Sequence, residues 1–394
     1  MEATALSKLL SPQGWALLGM LPPYRAETAM RISERLRSEG FDPELVAAAL
    51  TQSRLRAEAR EKLGDFAEGM LFTPAGLEQA TRLAVAAHHA RRYRDAGVRR
   101  VADLTCGIGA DALAIAGMGL PVLAVEIDEL TAAVATVNLR HFEHAEVRHA
   151  DSLALDLAAE GVDAVFADPA RRTRSGARRH RPEDYSPPLQ TVLALREQVP
   201  ELGVKVGPGI PHSAIPEDAE AQWVSVDGSV VEAGLWFGRL APRGPGRSAL
   251  VLHGESATLL EDDGVRAEVG PLDAFLLEPD GAVIRAGLVG TLARRVGAHL
   301  LDPTIAYLTA PSPTDVSPAL ATLYHVLDDM PFNVKRLRAY LRERGIGRVT
   351  VKKRGTAVTP EALRAQLSLR GEEHATLVLT RIAGAQHVVV VEPV

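Results

Sequence analysis

A chain of 394 residues, 46% apolar but only 4% aromatic, has a globular composition and exceeds the ~100–200 residues of one ordinary domain, so several Leu/Val/Ala-rich cores are expected. Cys106 is the only cysteine, which excludes an internal disulfide and a thiolate metal cluster and fits a reducing compartment. The net charge of −6 excludes a generally basic nucleic-acid binder, yet Pro331 to Val394 carries twelve Lys/Arg against five acids, a segregation that suggests one local polyanion-binding surface.

The first stretch, 1–72, reads as helices, with helical spacing of apolar residues in Ala26 to Leu36 and Leu45 to Leu55 and punctuation at Pro22-Pro23 and Asp42-Pro43. The short apolar run Trp15 to Leu21 follows Ser11, Pro12 and Gly14 and lacks a basic flank. Neither signal peptide nor membrane span is expected, and the cytoplasm is the expected location. Leu71 to Thr81 opens a helix predicted to run through Ala90, with His88-His89 on its surface; scattered histidines argue against a zinc site.

From Val101 the chain alternates strands and helices, as a doubly wound sheet requires. Val101 to Asp103 is a strand ending in an acid, Gly107-x-Gly109 a tight turn, and the Ala/Leu/Ile run after it a helix. A second strand ends at Glu126, a third at Asp151 and a fourth, Asp163 to Asp168, at Asp168; Ser186 to Gln198 is a helix and Leu202 to Val206 the fifth strand. Gln222 to Val226 and Val230 to Phe237, joined by Asp227-Gly228, read as a hairpin. Arg239 to Arg247 is a Pro/Gly/Arg linker, Ser248 to Thr309 holds short strands and one helix at Gly287 to Arg295, and Ala310 to Pro318 is a second break. The remainder reads helix (Asn333 to Arg344), strand (Arg348 to Lys353), helix (Pro360 to Leu367) and strands (Thr376 to Arg381, His387 to Val391).

Strand ends carry ligands in such sheets. A dinucleotide loop uses G-x-G-x-x-G so that pyrophosphate can approach the helix N-terminus; here the third glycine is absent and Asp111 stands two residues after Gly109. A carboxylate there repels pyrophosphate but suits an ammonium and a sulfonium, so the pattern favours S-adenosylmethionine (SAM) over NAD. Glu126 occupies the ribose-reading position, Asp128 reads as a helix N-cap, and Asp151-Ser152 reads either as an adenine contact or as a helix cap. The arginine-rich run Arg171, Arg172, Arg174, Arg178, Arg179, His180, Arg181 reads as a phosphate clamp or as a solvated loop, and Lys205 as added charge on the same rim or as a structural residue.

These motifs resemble those of the class I SAM-dependent methyltransferases, which also end in an antiparallel hairpin. The resemblance implies cofactor contacts from Asp103, Thr105, Cys106, Gly107, Gly109, Asp111, Glu126, Ile127, Asp151 and Ser152, with Gln79 and Thr81 placed to fold over the methionine end or simply to face solvent. Asp168-Pro169-Ala170-Arg171 resembles the Asp-Pro-Pro-Tyr motif of enzymes that methylate amino groups of nucleic-acid bases, in which the Asp side chain and a proline carbonyl orient the amine. Ala170 replaces the second proline and Arg171 the aromatic, although an arginine plane also stacks on bases.

Together with Glu278-Pro279-Asp280-Gly281-Ala282-Val283-Ile284-Arg285-Ala286-Gly287 and the basic part opening Phe332-Asn333-Val334-Lys335, the chain resembles a bacterial family of class I methyltransferases with a ferredoxin-like insert and a THUMP-like C-terminal domain. The resemblance implies an α/β fold: a Rossmann-like methyltransferase sheet (73–240) after the helical region, then two small α+β domains, ferredoxin-like (248–328) and basic THUMP-like (331–394). True THUMP domains bind RNA, notably tRNA. The expectation is therefore a SAM-dependent methyltransferase acting on a base nitrogen of tRNA or rRNA, without metal, with Arg172, Arg174, Arg178, Arg179, Lys205, Lys335, Arg336, Lys352 and Lys353 on the substrate. The alternatives are a non-catalytic RNA-binding scaffold, or a methyltransferase acting on DNA, protein or a small molecule.

Overall fold

The computed structural model of the chain describes residues 3–170 and 182–394. Its contacts divide into two compact units, Met1–Val206 with Trp236–Pro242, and Gly207–Leu235 with Arg243–Val394.

The first unit opens with helices Ala3–Leu10, Pro12–Met20, Ala26–Ser38 and Pro43–Leu63. Their starts follow local rules: Ser11 and Asp42 are N-caps whose side chains accept from Gly14 N and Leu45 N, each followed by a proline that has no amide to lose. The single helix expected over 71–90 is instead two, Pro74–Gln79 and Leu83–Asp95. Thr73 caps the first, and the Lys62 ammonium takes the Leu77 and Glu78 carbonyls at 2.8 and 2.7 Å. Carbonyls that a continuing helix would bond to its next turn are thus satisfied by a side chain, and the chain turns at 80–82.

Five strands follow: β1 (Val101–Asp103), β2 (Val122–Glu126), β3 (Ala145–His149), β4 (Ala164–Ala167) and β5 (Leu202–Val206). They lie parallel in the order β3-β2-β1-β4-β5, with Val101 facing Val122 on one side and Ala164 on the other. Every residue of β1, β4 and β5 is buried, as strands covered on both faces must be. Helices Ala110–Gly117, Glu129–Leu139 and Leu189–Ala194 provide connections; the last is shorter than the predicted 186–198 because Pro188 sets its start and its final turn tightens to a 3-10 turn at Leu195–Glu197. Beside β5, Phe237 N donates to Leu202 O at 3.0 Å. Gly203 leaves room there that a Cβ would fill, since it would stand 2.4 Å from the Tyr93 hydroxyl and 2.5 Å from the Trp236 ring.

In the second unit, β6 (Glu220–Val226) and β7 (Ser229–Trp236, whose last residue belongs with the first unit) are neighbours joined at Asp227-Gly228, both at positive φ (47° and 79°), as a tight hairpin turn demands. Next to β6 runs β8 (Gly246–His253), parallel to it, and then β9 (Ser256–Glu261), antiparallel to β8. Ser248, where the sequence begins a separate module, therefore sits inside this sheet. A second sheet is built from β10 (Phe275–Pro279), β11 (His299–Asp302), β12 (Ile305–Ala310), β13 (Ala321–Pro331), β14 (Ile346–Lys353), β15 (Glu373–Ile382) and β16 (Ala385–Pro393), in the order β11-β12-β10-β13-β16-β15-β14. The eleven-residue β13 pairs with β10 on one edge and β16 on the other, so it joins the two C-terminal stretches into one sheet. The helix expected at 287–295 is Val289–Val296, and a short helix not expected from the sequence, Gly281–Arg285, precedes it across Gly287 with φ 75°. Helices Val334–Glu343 and Pro360–Leu367 bury Leu337, Leu341, Leu363 and Leu367 in a core with Leu377, Leu379, Val388 and Val390. Among the described residues, no helix is long and apolar enough to cross a membrane.

Candidate active site

The carboxyl ends of β1, β2 and β4 and the loop after β1 form one connected set of groups. Gly107 and Gly109 have φ of 55° and 88°, a backbone that side chains resist, and this lets residues 104–110 curl between β1 and helix Ala110–Gly117. Cys106 N donates to Val125 O at 3.0 Å and Gly109 N to Cys106 O at 2.8 Å. Glu126, half-buried at the end of β2, accepts from Gly107 N (3.1 Å) and Asp128 N (2.9 Å), while Asp128 caps the next helix through Thr131 N. Asp151 is exposed and accepts from Leu153 N at 3.0 Å, so the capping contact is made.

Asp103 is buried, and among the described residues its Oδ2 has no hydrogen-bond partner; its Oδ1 accepts from Thr105 N at 3.3 Å. Burial, reinforced by the neighbouring Asp111 carboxylate, pushes its carboxyl well above the usual range. Burial likewise pushes the Cys106 thiol up, so this loop cysteine is a thiol and not a thiolate.

Asp168, at the end of β4, is tied on two sides. Its backbone N–H donates to Thr105 Oγ1 at 2.6 Å, and its Oδ2 accepts from Lys205 Nζ at 2.6 Å. Lys205 is buried in β5 and not on an open rim, because its ammonium also donates to Thr81 Oγ1 at 2.9 Å. Thr81 donates to Asp111 Oδ2 at 2.6 Å, and Asp111 Oδ1 lies 3.0 Å from His89 Nδ1. Asp111 is buried: desolvation opposes its charge, but His89, Lys205 and Thr81 outweigh that and hold its carboxyl below the usual range. His89, expected on a helix surface, is buried between the Phe166 and Trp236 rings, each 5.4 Å away by centroid. His88 is the partly exposed member of the pair, and Gln79 faces solvent.

Of the other expected residues, Pro169 is buried and Ala170 exposed, its backbone bridged to Ser186. Arg171, Arg172, Arg174, Arg178 and Arg179 lie outside the described residues. In the second unit Lys335, Arg336 and Lys353 are exposed, whereas Lys352 is half-buried, donating to Glu278 Oε2 at 2.5 Å. Several supports carry no local sequence signal. Asn138 holds Leu71 and the Ile108 carbonyl, Gln52 holds Phe72, and Lys62 holds the end of helix Pro74–Gln79.

The parallel order of the first unit, its glycine loop and the acids at its strand ends define a class I methyltransferase site. The comparisons agree. Over 337 residues the chain is 36% identical to an uncharacterized S-adenosylmethionine-dependent methyltransferase of Mycobacterium tuberculosis, matched in strains CDC 1551 and H37Rv, covering 83% of this chain and 90% of the relative. The fold matches the crystal structure of a Porphyromonas gingivalis W83 protein assigned as a methyltransferase, at 19% identity and a TM-score of 0.72, over 94% of this chain and 100% of that one. Residues 321–393 match the THUMP domain-like family and residues 2–59 a domain of unknown function, DUF8688. The chain belongs to the family of SAM-dependent methyltransferases that includes the mycobacterial proteins.

The residues present fit SAM. A buried carboxyl with an orphaned oxygen, Asp103, suits an ammonium; the space beside Gly107, where a Cβ would meet no atom, leaves the loop open; and Ile127 (67% exposed) and Leu153 (43%) offer apolar surface next to Glu126 and Asp151 in sequence.

Proposed function

We propose that the protein methylates a base nitrogen of RNA, either tRNA or rRNA. The observation that carries the reading is the placement of Asp168-Pro169: a carboxylate at the end of β4, 24% exposed, fixed through its backbone by Thr105 and through its side chain by Lys205. Bound SAM supplies a methyl group on a sulfonium. The protein needs to hold the acceptor in line, and such positioning supplies a large part of the acceleration of a displacement. Asp168 accepts an N–H from the acceptor amine and turns the nitrogen lone pair toward the methyl group. No protein base is required, because the proton lost after transfer leaves to solvent.

RNA as substrate class is supported by the THUMP domain-like match and by the local basic excess, in which Lys335 and Arg336 are exposed near the start of helix Val334–Glu343 and Lys353 ends β14. Arg171, Arg172, Arg174, Arg178 and Arg179 add cations next to Asp168 in sequence. Asp103, Thr105, Cys106, Gly107, Gly109, Glu126, Ile127, Asp151 and Ser152 hold the cofactor, and Asp111 supports the loop from within. The test is transfer of labelled methyl from SAM to total RNA from cells lacking the protein. Label that enters RNA and is recovered in a methylated base supports the reading; label found only in protein, DNA or small molecules overturns it.

A further inference from the structure

We propose that Lys205 is the positioning residue of the acceptor site: it keeps the Asp168 carboxylate ionised and aimed, and it is itself aimed by Thr81. The inference rests on the reading of Asp168 as the group that orients the acceptor. It concerns a residue that no motif marks, since Lys205 lies inside a strand whose every residue is buried.

A buried ammonium is costly unless its donors are matched. Lys205 meets that condition with a chain of fixed direction. Its Nζ donates to Asp168 Oδ2 and to Thr81 Oγ1, and the Thr81 hydroxyl hydrogen goes to Asp111 Oδ2. Asp111, held ionised, requires a hydrogen on His89 Nδ1, and the Phe166 and Trp236 rings fix that imidazole. Thr81 stands in the break between helices Pro74–Gln79 and Leu83–Asp95, a break that Lys62 supports. The cation thus links Asp111, through Thr81, to the Asp168 carboxylate.

The chemistry explains why such a cation is needed. An ionised carboxylate only accepts hydrogen bonds, so it selects an N–H donor and leaves the nitrogen lone pair unblocked. A protonated Asp168 would donate to that lone pair and occupy the electrons that must attack. Around this site stand Asp103 at the end of β1, Glu126 at the end of β2 and Asp111 in the first turn of helix Ala110–Gly117; beyond burial, the Asp111, Asp168 and Glu126 charges raise the Asp103 carboxyl, and such repulsion between acids is mutual. Among the described residues the Lys205 ammonium opposes them, 2.6 Å from Asp168 Oδ2, and Lys62 of helix Pro43–Leu63 lies close enough for the two cations to act on each other. Lys205 thus sets the lower pH limit of the acceptor site.

The experiment uses the full-length protein labelled with 13C-aspartate, the Asp168 carboxyl signal being assigned by its loss in Asp168→Asn. Its titration midpoint is followed in the parent, Lys205→Met, Lys205→Arg and Thr81→Val, alongside SAM affinity and the pH profile of methyl transfer. In Lys205→Met the midpoint is expected to rise by about one pH unit or more, with the acid limb of transfer rising equally and SAM affinity within about twofold of the parent. Lys205→Arg restores most of the shift, and Thr81→Val moves the midpoint the same way by less. A folded Lys205→Met chain with an unchanged midpoint overturns the proposal. If that chain does not fold, an unchanged midpoint in Thr81→Val overturns it equally. The titration needs no RNA: should no variant or parent methylate RNA, the reading of the substrate fails while the role of Lys205 is still decided by the midpoints.

Discussion

The Thr105 hydroxyl accepts the backbone N–H of Asp168 at 2.6 Å while the Thr105 N–H donates to Asp103. One side chain therefore fastens the glycine loop after β1 to the end of β4, and the proposed cofactor and acceptor halves of the site share a clamp. Thr105→Val keeps the shape but removes the acceptor, leaving the Asp168 amide without its partner. A loss of about 1–3 kcal/mol in stability is expected, with weaker SAM binding and slower transfer together. Thr105→Ser should recover most of all three. Thermal melts and calorimetric SAM titration check this.

Asp168→Ala separates the two halves. Its side chain meets Lys205, and on the proposed role it meets the acceptor, while its tie to the glycine loop is through the backbone, so methyl transfer is expected to vanish while SAM affinity falls by no more than a few-fold. Calorimetry beside a labelled-methyl assay reads both quantities; joint loss of binding and transfer would contradict the assigned role.

Asp103→Asn acts in the opposite direction on stability. The folded protein raises this carboxyl above its ordinary value of about 3.9, chiefly by burial. The charge penalty is therefore absent below about pH 4 and grows as pH rises toward the folded value. Without SAM, the Asn variant should melt higher than the parent at pH 7, by the equivalent of about 1 kcal/mol or more, and the advantage should shrink toward pH 4. SAM affinity is expected to drop, because the amide cannot match an ammonium. A melting series across pH with and without SAM checks both parts.

Gly203→Ala tests the packing behind β5. A Cβ at this position would overlap the Tyr93 hydroxyl and the Trp236 ring, both fully buried, so neither can swing away. A cost of about 1–3 kcal/mol is expected, seen as a lower denaturation midpoint with the slope unchanged.

Much of this was legible in the residues, and the limits have physical causes. The first, second and fourth strands announce themselves as apolar runs ended by the acids Asp103, Glu126 and Asp168, and Leu202–Val206 lies where the sequence places it, although Lys205 within it is buried. The loop with Gly107 and Gly109 was legible because few other residues tolerate its φ values. His89 was misread, and Lys205 was left with two readings, for a shared reason. Charge or polarity at one position says nothing of partners 37 residues away, as with Asp168, or 22 away, as with Asp111. The break at 80–82 hides for the same reason, since Lys62 reaches it from another helix. The continuity of the C-terminal sheet hides because Pro and Ser breaks before β13 look like a boundary, while strand pairing is set by partners far along the chain.

The shared strand β13 also governs how this protein can be taken apart. A cut between residues 328 and 331, where the sequence invites one, severs an eleven-residue strand three residues from its end. On one fragment β10 keeps the residues it pairs with, but on the other β16 loses the partners of its second half, Val390 to Pro393, and presents unpaired amides to any other chain. The region matching the THUMP domain-like family begins at the first residue of β13, and that strand's other edge belongs to β10. Transplanting this module to another enzyme therefore means carrying β10 to β12 with it, or redesigning the edge they cover.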